Sequence, residues 1–187
     1  MKLSERWRRR TLLVALLALT VPLLSCEDDT PAEPIVVVTP EPVRGVIAQT
    51  SFSGFPTDVW VSIEILVSQK GTVDGTVDWT FPDTWMYVYF GRVTCNLGQL
   101  TGGTCPFLIA SETKDPKPRT FTTGQIEAGT YYLYLYNVPR NPRLGIGSDN
   151  TEAVAVQLGL TIYPFSSGSG EGAIRLGRIR TVTPPRL

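Results

Sequence analysis

Apolar and polar residues alternate with a period of two along most of the chain between residues 44 and 164. Such alternation in β-branched and aromatic residues is typical of strands that bury one face, and no segment here has the 3.6-residue period of an amphipathic helix. The alternating positions are Val59, Val61, Ile63, Ile65 and Val67; Val73, Val77 and Trp79; Met86, Val88 and Phe90; Phe107 and Ile109; Tyr131, Leu133 and Leu135; Val154, Val156, Leu158, Leu160 and Ile162. The pattern predicts an all-β domain.

Short segments rich in Gly, Pro, Asn and Asp separate these runs, and such residues meet the backbone demands of tight turns. The segments are residues 53–56, 74–75, 81–83, 102–103, 115–116, 141–142 and 147–150. About seven to nine mostly antiparallel strands, each with one apolar face, need two packed sheets to bury those faces. We therefore predict a single β-sandwich domain over residues 44–164.

Two segments of different composition flank the predicted sandwich. Residues 26–43 combine prolines and acidic residues around one apolar patch, which predicts an extended spacer, or alternatively a first edge strand. Residues 165–187 begin with a Gly/Ser-rich linker and continue as a basic segment without acidic residues from residue 173 onwards. This segment is either a loose tail or an additional edge strand, and its apolar residues between 174 and 182 favour the strand.

The first 25 residues have the three parts of a secretory signal peptide. Five basic residues and a single acid, Glu5, precede an apolar run from Leu12 to Leu24, and Ser25 stands directly before Cys26. The run is shorter than the roughly 18 apolar residues that a membrane-spanning helix needs. We therefore expect a cleaved signal, with an uncleaved N-terminal anchor as the alternative.

The tetrapeptide Leu23-Leu24-Ser25-Cys26 resembles the lipobox of bacterial lipoproteins, which has an aliphatic residue three positions before the cysteine and a small residue directly before it. The resemblance implies cleavage before Cys26 and a thioether-linked diacylglycerol on it, usually with an added N-acyl chain. Several acyl chains anchor a protein stably, because each buried methylene contributes about 0.8 kcal/mol. Glu27 resembles sorting patterns for the outer membrane in double-membraned bacteria. These resemblances imply a cell-envelope protein whose partner is the membrane.

Three cysteines are an odd number for an exported protein. Lipidation of Cys26 would leave Cys95 and Cys105, and an oxidising compartment would allow those two to pair. The segment between them contains three glycines and can fold back easily. We predict a disulfide between Cys95 and Cys105, with two free thiols as the alternative.

Composition excludes several function classes. The full chain has seventeen basic and seventeen acidic residues. Without the five bases and one acid of the leader, twelve basic and sixteen acidic residues remain. Because a nucleic-acid partner requires an excess of positive charge, such a partner is not expected. The chain contains no histidine, which excludes histidine-based triads, histidine general bases and histidine metal sites. Phosphate-binding, dinucleotide-binding and EF-hand motifs are also missing from the sequence. We expect a non-enzymatic protein without a cofactor other than the covalent lipid.

Carboxylates remain as candidates for chemistry. Asp74, Asp78 and Asp83 lie around Trp79 and Trp85 in the segment DGTVDWTFPDTW. A glycosidase needs two carboxyl groups that face one cleft at a defined separation. A glycan-active hydrolase that uses Asp78 and Asp83 is therefore the alternative function, whereas ordinary surface acids beside strands are the commoner explanation.

A calcium site is a second hypothesis for acidic residues. Asp149, Asn150 and Glu152 provide the oxygen ligands that calcium takes from loops. A turn rich in Asx side chains explains the same residues. We favour the turn, so calcium is not an expected cofactor.

The aromatic residues allow two interpretations. Trp79, Trp85, Tyr132 and Tyr134 are candidate ligand-binding residues, because exposed aromatic faces are typical recognition surfaces for a sugar or a peptide. They belong to a larger set that also contains Trp60, Tyr87, Tyr89 and Tyr136. The other interpretation, which we favour, is cross-strand packing within one sheet.

The segment EAGTYYLYLYN, from Glu127 to Asn137, followed by AVAVQLGLTI, from Ala153 to Ile162, resembles the closing strands of bacterial pre-peptidase C-terminal-type domains. The resemblance covers about residues 71–162 and implies a small jelly-roll sandwich. Such domains usually accompany secreted enzymes as accessory modules. The resemblance therefore implies a non-catalytic accessory role. The candidate aromatic residues and the lack of catalytic groups predict a binding module whose partner is an envelope glycan or protein.

Overall fold

The computed structural model describes residues 41–45, 48–114, 117–163 and 174–182, and within them the chain forms ten strands and one short helix. These residues belong to one of two compact units, Pro40–Leu187; the other is Met1–Thr39. The predicted signal peptide and Cys26 lie outside the described residues. The elements are β1 (Val43–Arg44), β2 (Ala48–Phe55), β3 (Val59–Val67), β4 (Gly71–Trp79), β5 (Met86–Gly91), α1 (Leu97–Thr101), β6 (Ile109–Ser111), β7 (Arg119–Ile126), β8 (Gly129–Asn137), β9 (Glu152–Ile162) and β10 (Ile174–Val182).

The strands form two antiparallel sheets of five strands each, which confirms the predicted β-sandwich. In the first sheet β9 pairs with both β1 and β2 on one side and with β4 on the other, and β7 follows β4. The second sheet has the order β10-β3-β8-β5-β6. Most connections between successive strands cross from one sheet to the other. Strands β2 to β9 therefore follow the jelly-roll arrangement, to which β1 and β10 are additions.

The core lies between the two sheets and follows the predicted alternation. Along β9, Val154, Val156 and Leu158 are buried, whereas Ala155 and Gln157 between them are exposed. Each fully buried aliphatic side chain of this kind contributes about 1.5–3 kcal/mol. The period of two thus places one face of each strand in the core and leaves the other available for a site.

Two predicted turns fall inside strands. β2 continues to Phe55, so most of the turn predicted over residues 53–56 belongs to this strand. β4 runs without interruption through Asp74 and Gly75, and it pairs with β7 on one side and β9 on the other. Gly75 lies opposite Phe121 of β7, and a Cβ atom on Gly75 would overlap with the Phe121 ring. The glycine therefore serves a close packing contact within the sheet and not a change of chain direction.

The C-terminal segment adds an edge strand to the second sheet. β10 pairs antiparallel with β3, with Leu176 opposite Ile65 and with an irregularity between Leu176 and Ile179. Leu176 packs against the core, whereas Arg175 and Arg178 are exposed. The sandwich therefore extends beyond residue 164.

Candidate functional site

The outer face of the second sheet carries an apolar cluster separate from the core. Trp60 illustrates how it arises, because it lies between two core residues, Val59 and Val61, and so points to the opposite face. We call this set of side chains the outer cluster. Its buried members are Trp60, Tyr89, Cys95, Leu100, Cys105 and Tyr134, and its partly buried members are Tyr87, Leu97, Phe107, Tyr132 and Tyr136.

The rings of the outer cluster pack across neighbouring strands. Trp60 of β3 lies directly opposite Tyr136 of β8, and the two rings stack with centroids 4.6 Å apart. Tyr87 of β5 is also opposite Tyr136, at 6.1 Å, and Tyr89 lies 5.5 Å from Trp60. These are cross-strand aromatic pairs of the predicted kind, and each pair contributes about 0.2–1 kcal/mol.

The segment that connects β5 with β6 contributes further members of the outer cluster and contains the predicted cysteine pair. Cys95 and Cys105 lie at disulfide distance, with their Cα atoms 5.9 Å apart. We predicted no helix between them, yet α1 begins directly after Asn96. The Asn96 side chain accepts a hydrogen bond from the Gln99 backbone at 3.0 Å, and the Gln99 side chain accepts one from the Asn96 backbone at 2.9 Å. This capping box is readable in the Asn-x-x-Gln spacing.

Tyr134 fixes this connecting segment to the sheet. Its side chain is 1 % exposed, and its hydroxyl accepts a hydrogen bond from the Cys95 N–H at 2.8 Å. The same hydroxyl donates to the Val93 carbonyl oxygen at 3.3 Å. Tyr132 lies beside it and is partly buried, with the two ring centroids 6.2 Å apart. Tyr134 is therefore a structural side chain, contrary to the expectation of an exposed stacking residue.

A cleft of about 330 Å³ is formed by the outer cluster and the end of α1. This volume is within the range of small-molecule sites, which begins at about 300 Å³. We call it the aromatic cleft. It is lined by Trp60, Tyr87, Tyr89 and Tyr136 from the sheet, by Leu100, Thr101 and Gly103 from the connecting segment, and by Glu112.

Two carboxylates lie at phenols of the aromatic cleft. The Tyr136 hydroxyl donates a hydrogen bond to Asp58 Oδ1 at 2.8 Å, and Glu112 lies beside the Tyr89 hydroxyl. Burial, together with the proximity of these carboxylates, raises the pKa of both phenols above the ordinary value of 10.0. Among the described residues that line the cleft, Glu112 alone carries a charge, so the local potential is negative.

Two of the predicted aromatic site residues lie elsewhere. Trp79 is 3 % exposed in the core between the sheets, so it does not present the exposed aromatic face that a ligand-binding residue needs. Trp79 is an even number of positions from Val73 and Val77 along β4, so its side chain lies on the same, inward face of the strand. Trp85 is half-buried in the connection between β4 and β5 and is not part of the aromatic cleft.

Asp83 does not line the groove in which Asp78 lies. This open groove has a volume of about 370 Å³, and Phe52 and Thr80 also line it. The Asp78 carboxylate lies 3.2 Å from Lys117 Nζ, which neutralises it. Asp83 is in the exposed turn that follows β4.

The residues considered as calcium ligands are engaged in hydrogen bonds and an ion pair with other side chains and with the backbone. Glu152 is fully buried and accepts hydrogen bonds from Thr84 Oγ1 and, at 3.0 Å, from the Phe81 N–H. Asn150 donates to Thr84 Oγ1 at 3.2 Å, and Asp149 forms an exposed ion pair. Over the described ranges, three or more His, Cys, Asp or Glu side chains never converge in a way that could hold a metal ion. Glu152 and Asn150 thus tie this turn to the connection between β4 and β5.

Replacing Cys95 and Cys105 together by serine is expected to lower the free energy of unfolding by about 2–3 kcal/mol. The reason is the loop-closure entropy that a cross-link over ten positions removes from the unfolded chain. Urea denaturation of the double variant and of the thiol-reduced native protein should give the same loss. Identical stability of oxidised and reduced protein would contradict this expectation.

Searches against known proteins give no family for this chain. A scan against protein-family models and a search of curated proteins found no match. In the portion of the chain that the structure describes, no helix has the length and apolar character needed to cross a membrane.

Proposed function

We propose that the chain is a lipid-anchored protein of the cell envelope, and that its β-sandwich is a non-catalytic module that binds an envelope glycan or protein in the aromatic cleft. The observation that carries the proposal is a cleft of about 330 Å³ with four aromatic side chains in its lining. Trp and Tyr are preferred at binding surfaces because they combine large apolar area with a polar group.

The chemistry of the aromatic cleft supports binding over catalysis. Glu112 is the one carboxylate among the described lining residues, and Asp58 beside the cleft accepts a hydrogen bond from the Tyr136 hydroxyl at 2.8 Å. General acid–base hydrolysis of a glycan would need a second carboxyl group that faces Glu112 across the cleft. The chain also has no histidine that could serve as a base.

A blocking variant tests the cleft directly. Thr101 is an exposed lining residue on α1, so Thr101→Trp should fill the cleft without disturbing the core. Thr120→Trp, at an exposed position on β7 of the other sheet, is the matched control. Calorimetric titration with chitohexaose, cellohexaose, soluble peptidoglycan fragments and pooled synthetic peptides should reveal a ligand. We expect Thr101→Trp to weaken its binding at least about tenfold, or about 1.4 kcal/mol, and Thr120→Trp to leave it unchanged.

Two results of this titration would count against the proposal. Equal weakening by both tryptophan variants would place the ligand elsewhere or indicate a general loss of folding, which an unfolding curve would identify. Native protein that binds none of the four kinds of probe would remove the support for a glycan- or peptide-binding module.

The proposed anchor has a test of its own. Leu23, Ser25 and Cys26 match the lipobox pattern, and Cys26 would carry the lipid. Replacing Cys26 by serine in the full chain is expected to abolish incorporation of labelled palmitate and to leave an uncleaved precursor. Cys105→Ser is the control and should be labelled like the native protein. Continued labelling of the Cys26→Ser protein would refute lipidation at this residue.

A further inference from the structure

The aromatic cleft combines an electron-rich surface with a negative charge. Its sheet side consists of Trp60, Tyr87, Tyr89 and Tyr136, and the neighbouring rings of this set have centroids 4.6–6.3 Å apart. The face of an aromatic ring attracts a cation through its quadrupole at distances up to about 6 Å. Several rings around one small volume therefore favour an occupant with positive charge and an apolar exterior.

The carboxylates determine the sign of the preferred charge. Glu112 lies in the lining, and Asp58 binds the hydroxyl of Tyr136 at the cleft. No lysine or arginine is among the described lining residues. Among the described residues, Arg119 is the one cation whose charge acts on a phenol of the cleft, that of Tyr87. Arg119 is 3 % exposed and donates to the carbonyl oxygens of Met86 and Ser111. An anionic ligand would be repelled here, whereas a cationic ligand would gain a counter-ion.

The hydroxyl groups favour a cation over a neutral sugar. Tyr136 already donates its proton to Asp58 at 2.8 Å. A sugar needs both donors and acceptors around its hydroxyl groups, and this phenol can still accept a hydrogen bond but has no further proton to donate. Donation to a carboxylate also increases the electron density of a phenol ring, which strengthens its attraction for a cation.

We propose that the aromatic cleft binds an organic cation with an alkylated ammonium group, with Trp60, Tyr87 and Tyr136 as the aromatic walls and Glu112 as the counter-charge. The inference rests on the proposed binding function and specifies the group that is recognised. Alkylation matters, because methyl groups spread the positive charge over a surface that aromatic rings can cover, and because an alkylated ammonium is easier to desolvate than a bare one.

Choline and its uncharged isostere 3,3-dimethyl-1-butanol provide the test, because they have nearly the same shape and differ in charge. In calorimetric or NMR titrations of the native protein we expect choline to bind at least about tenfold more tightly than the isostere. Glu112→Gln should weaken choline binding about three- to tenfold. Glu127→Gln, an exposed acid outside the cleft, is the matched control and should leave it unchanged.

The aromatic contribution is tested separately. Tyr87→Leu should weaken choline binding about three- to tenfold, whereas Tyr87→Phe, which keeps the ring, should retain it. An unfolding curve for each variant confirms that the fold is intact. Equal binding of choline and the isostere, or no binding of choline, would overturn the cation assignment. If a glycan or peptide still bound in a manner sensitive to Thr101→Trp, the binding module would stand while the cation assignment would fall.

Discussion

Replacing Arg119 by alanine is expected to lower the free energy of unfolding by at least about 3 kcal/mol. Arg119 is on β7 of the first sheet and is 3 % exposed. Its guanidinium donates to the carbonyl oxygens of Met86 at 2.7 Å and Ser111 at 2.9 Å, and also to that of Thr113. Hydrogen bonds from charged donors contribute about 1.5–3 kcal/mol each, so the loss of three exceeds the effect of an ordinary substitution.

The position of Arg119 explains why the effect should be large. Among the described strands, β7 is the last of its sheet and pairs with β4 alone, whereas Met86 and Ser111 belong to β5 and β6 of the other sheet. Arg119 therefore links the two sheets at one edge of the sandwich. Its guanidinium carbon also lies 5.9 Å from the centroid of the buried Trp79 ring, close enough for a cation–π contact.

Urea denaturation of three variants measures this contribution. Arg119→Lys retains the charge, but one ammonium group cannot reproduce the planar fork of the guanidinium, so we expect an intermediate loss. Arg92→Ala, which removes an exposed arginine 6.0 Å from the Tyr131 ring, should cost less than about 1 kcal/mol. An Arg119→Ala protein within about 1 kcal/mol of the native one would show that the sheets are held together without this residue.

The fold was predictable because the period of two is a direct consequence of strand geometry. Val154, Val156 and Leu158 are buried as their alternation predicts, and the parity of Glu152 with these residues predicts its burial as well. Gly75 was misjudged because a glycine within a strand has the same local sequence as a glycine in a turn. Its reason, the ring of Phe121, is contributed by a strand more than forty residues away.

The candidate site was less predictable because β3 and β8 carry aromatic residues on the face opposite the core as well. Trp79 was proposed as a ligand residue although its parity with Val77 places it in the core, whereas the parity of Trp60 places it on the outer face. Parity alone could have separated these two tryptophans. The contribution of Glu112 could not be found in this way, because it depends on how the segment between β5 and β7 folds over the outer cluster.

Above pH 10 the domain is expected to lose stability steeply, because burial raises the pKa of five tyrosines above the ordinary value of 10.0. In the unfolded chain these phenols release their protons near pH 10, whereas in the folded domain they retain them. Their stabilising contribution is therefore fully present below pH 10 and is lost as the pH rises above it. Each phenol that stays protonated lowers the free energy of unfolding by up to about 1.4 kcal/mol per pH unit. The five residues are Tyr87, Tyr89, Tyr131, Tyr134 and Tyr136.

The alkaline transition should be cooperative, since four of these tyrosines pack together in the outer cluster, on β5 and β8, and the fifth, Tyr131, lies in the core between the sheets. Tyrosinate absorbance and far-ultraviolet circular dichroism, recorded over the same alkaline titration, should change together in one step. Tyr136→Phe removes one shifted phenol together with its hydrogen bond to Asp58, so its stability should depend less steeply on pH above 10. Progressive ionisation of the four outer-cluster phenols while the dichroism stays native would contradict this expectation. It would mean that the outer cluster opens to water without unfolding of the sandwich, and that the walls of the aromatic cleft are mobile independently of the core.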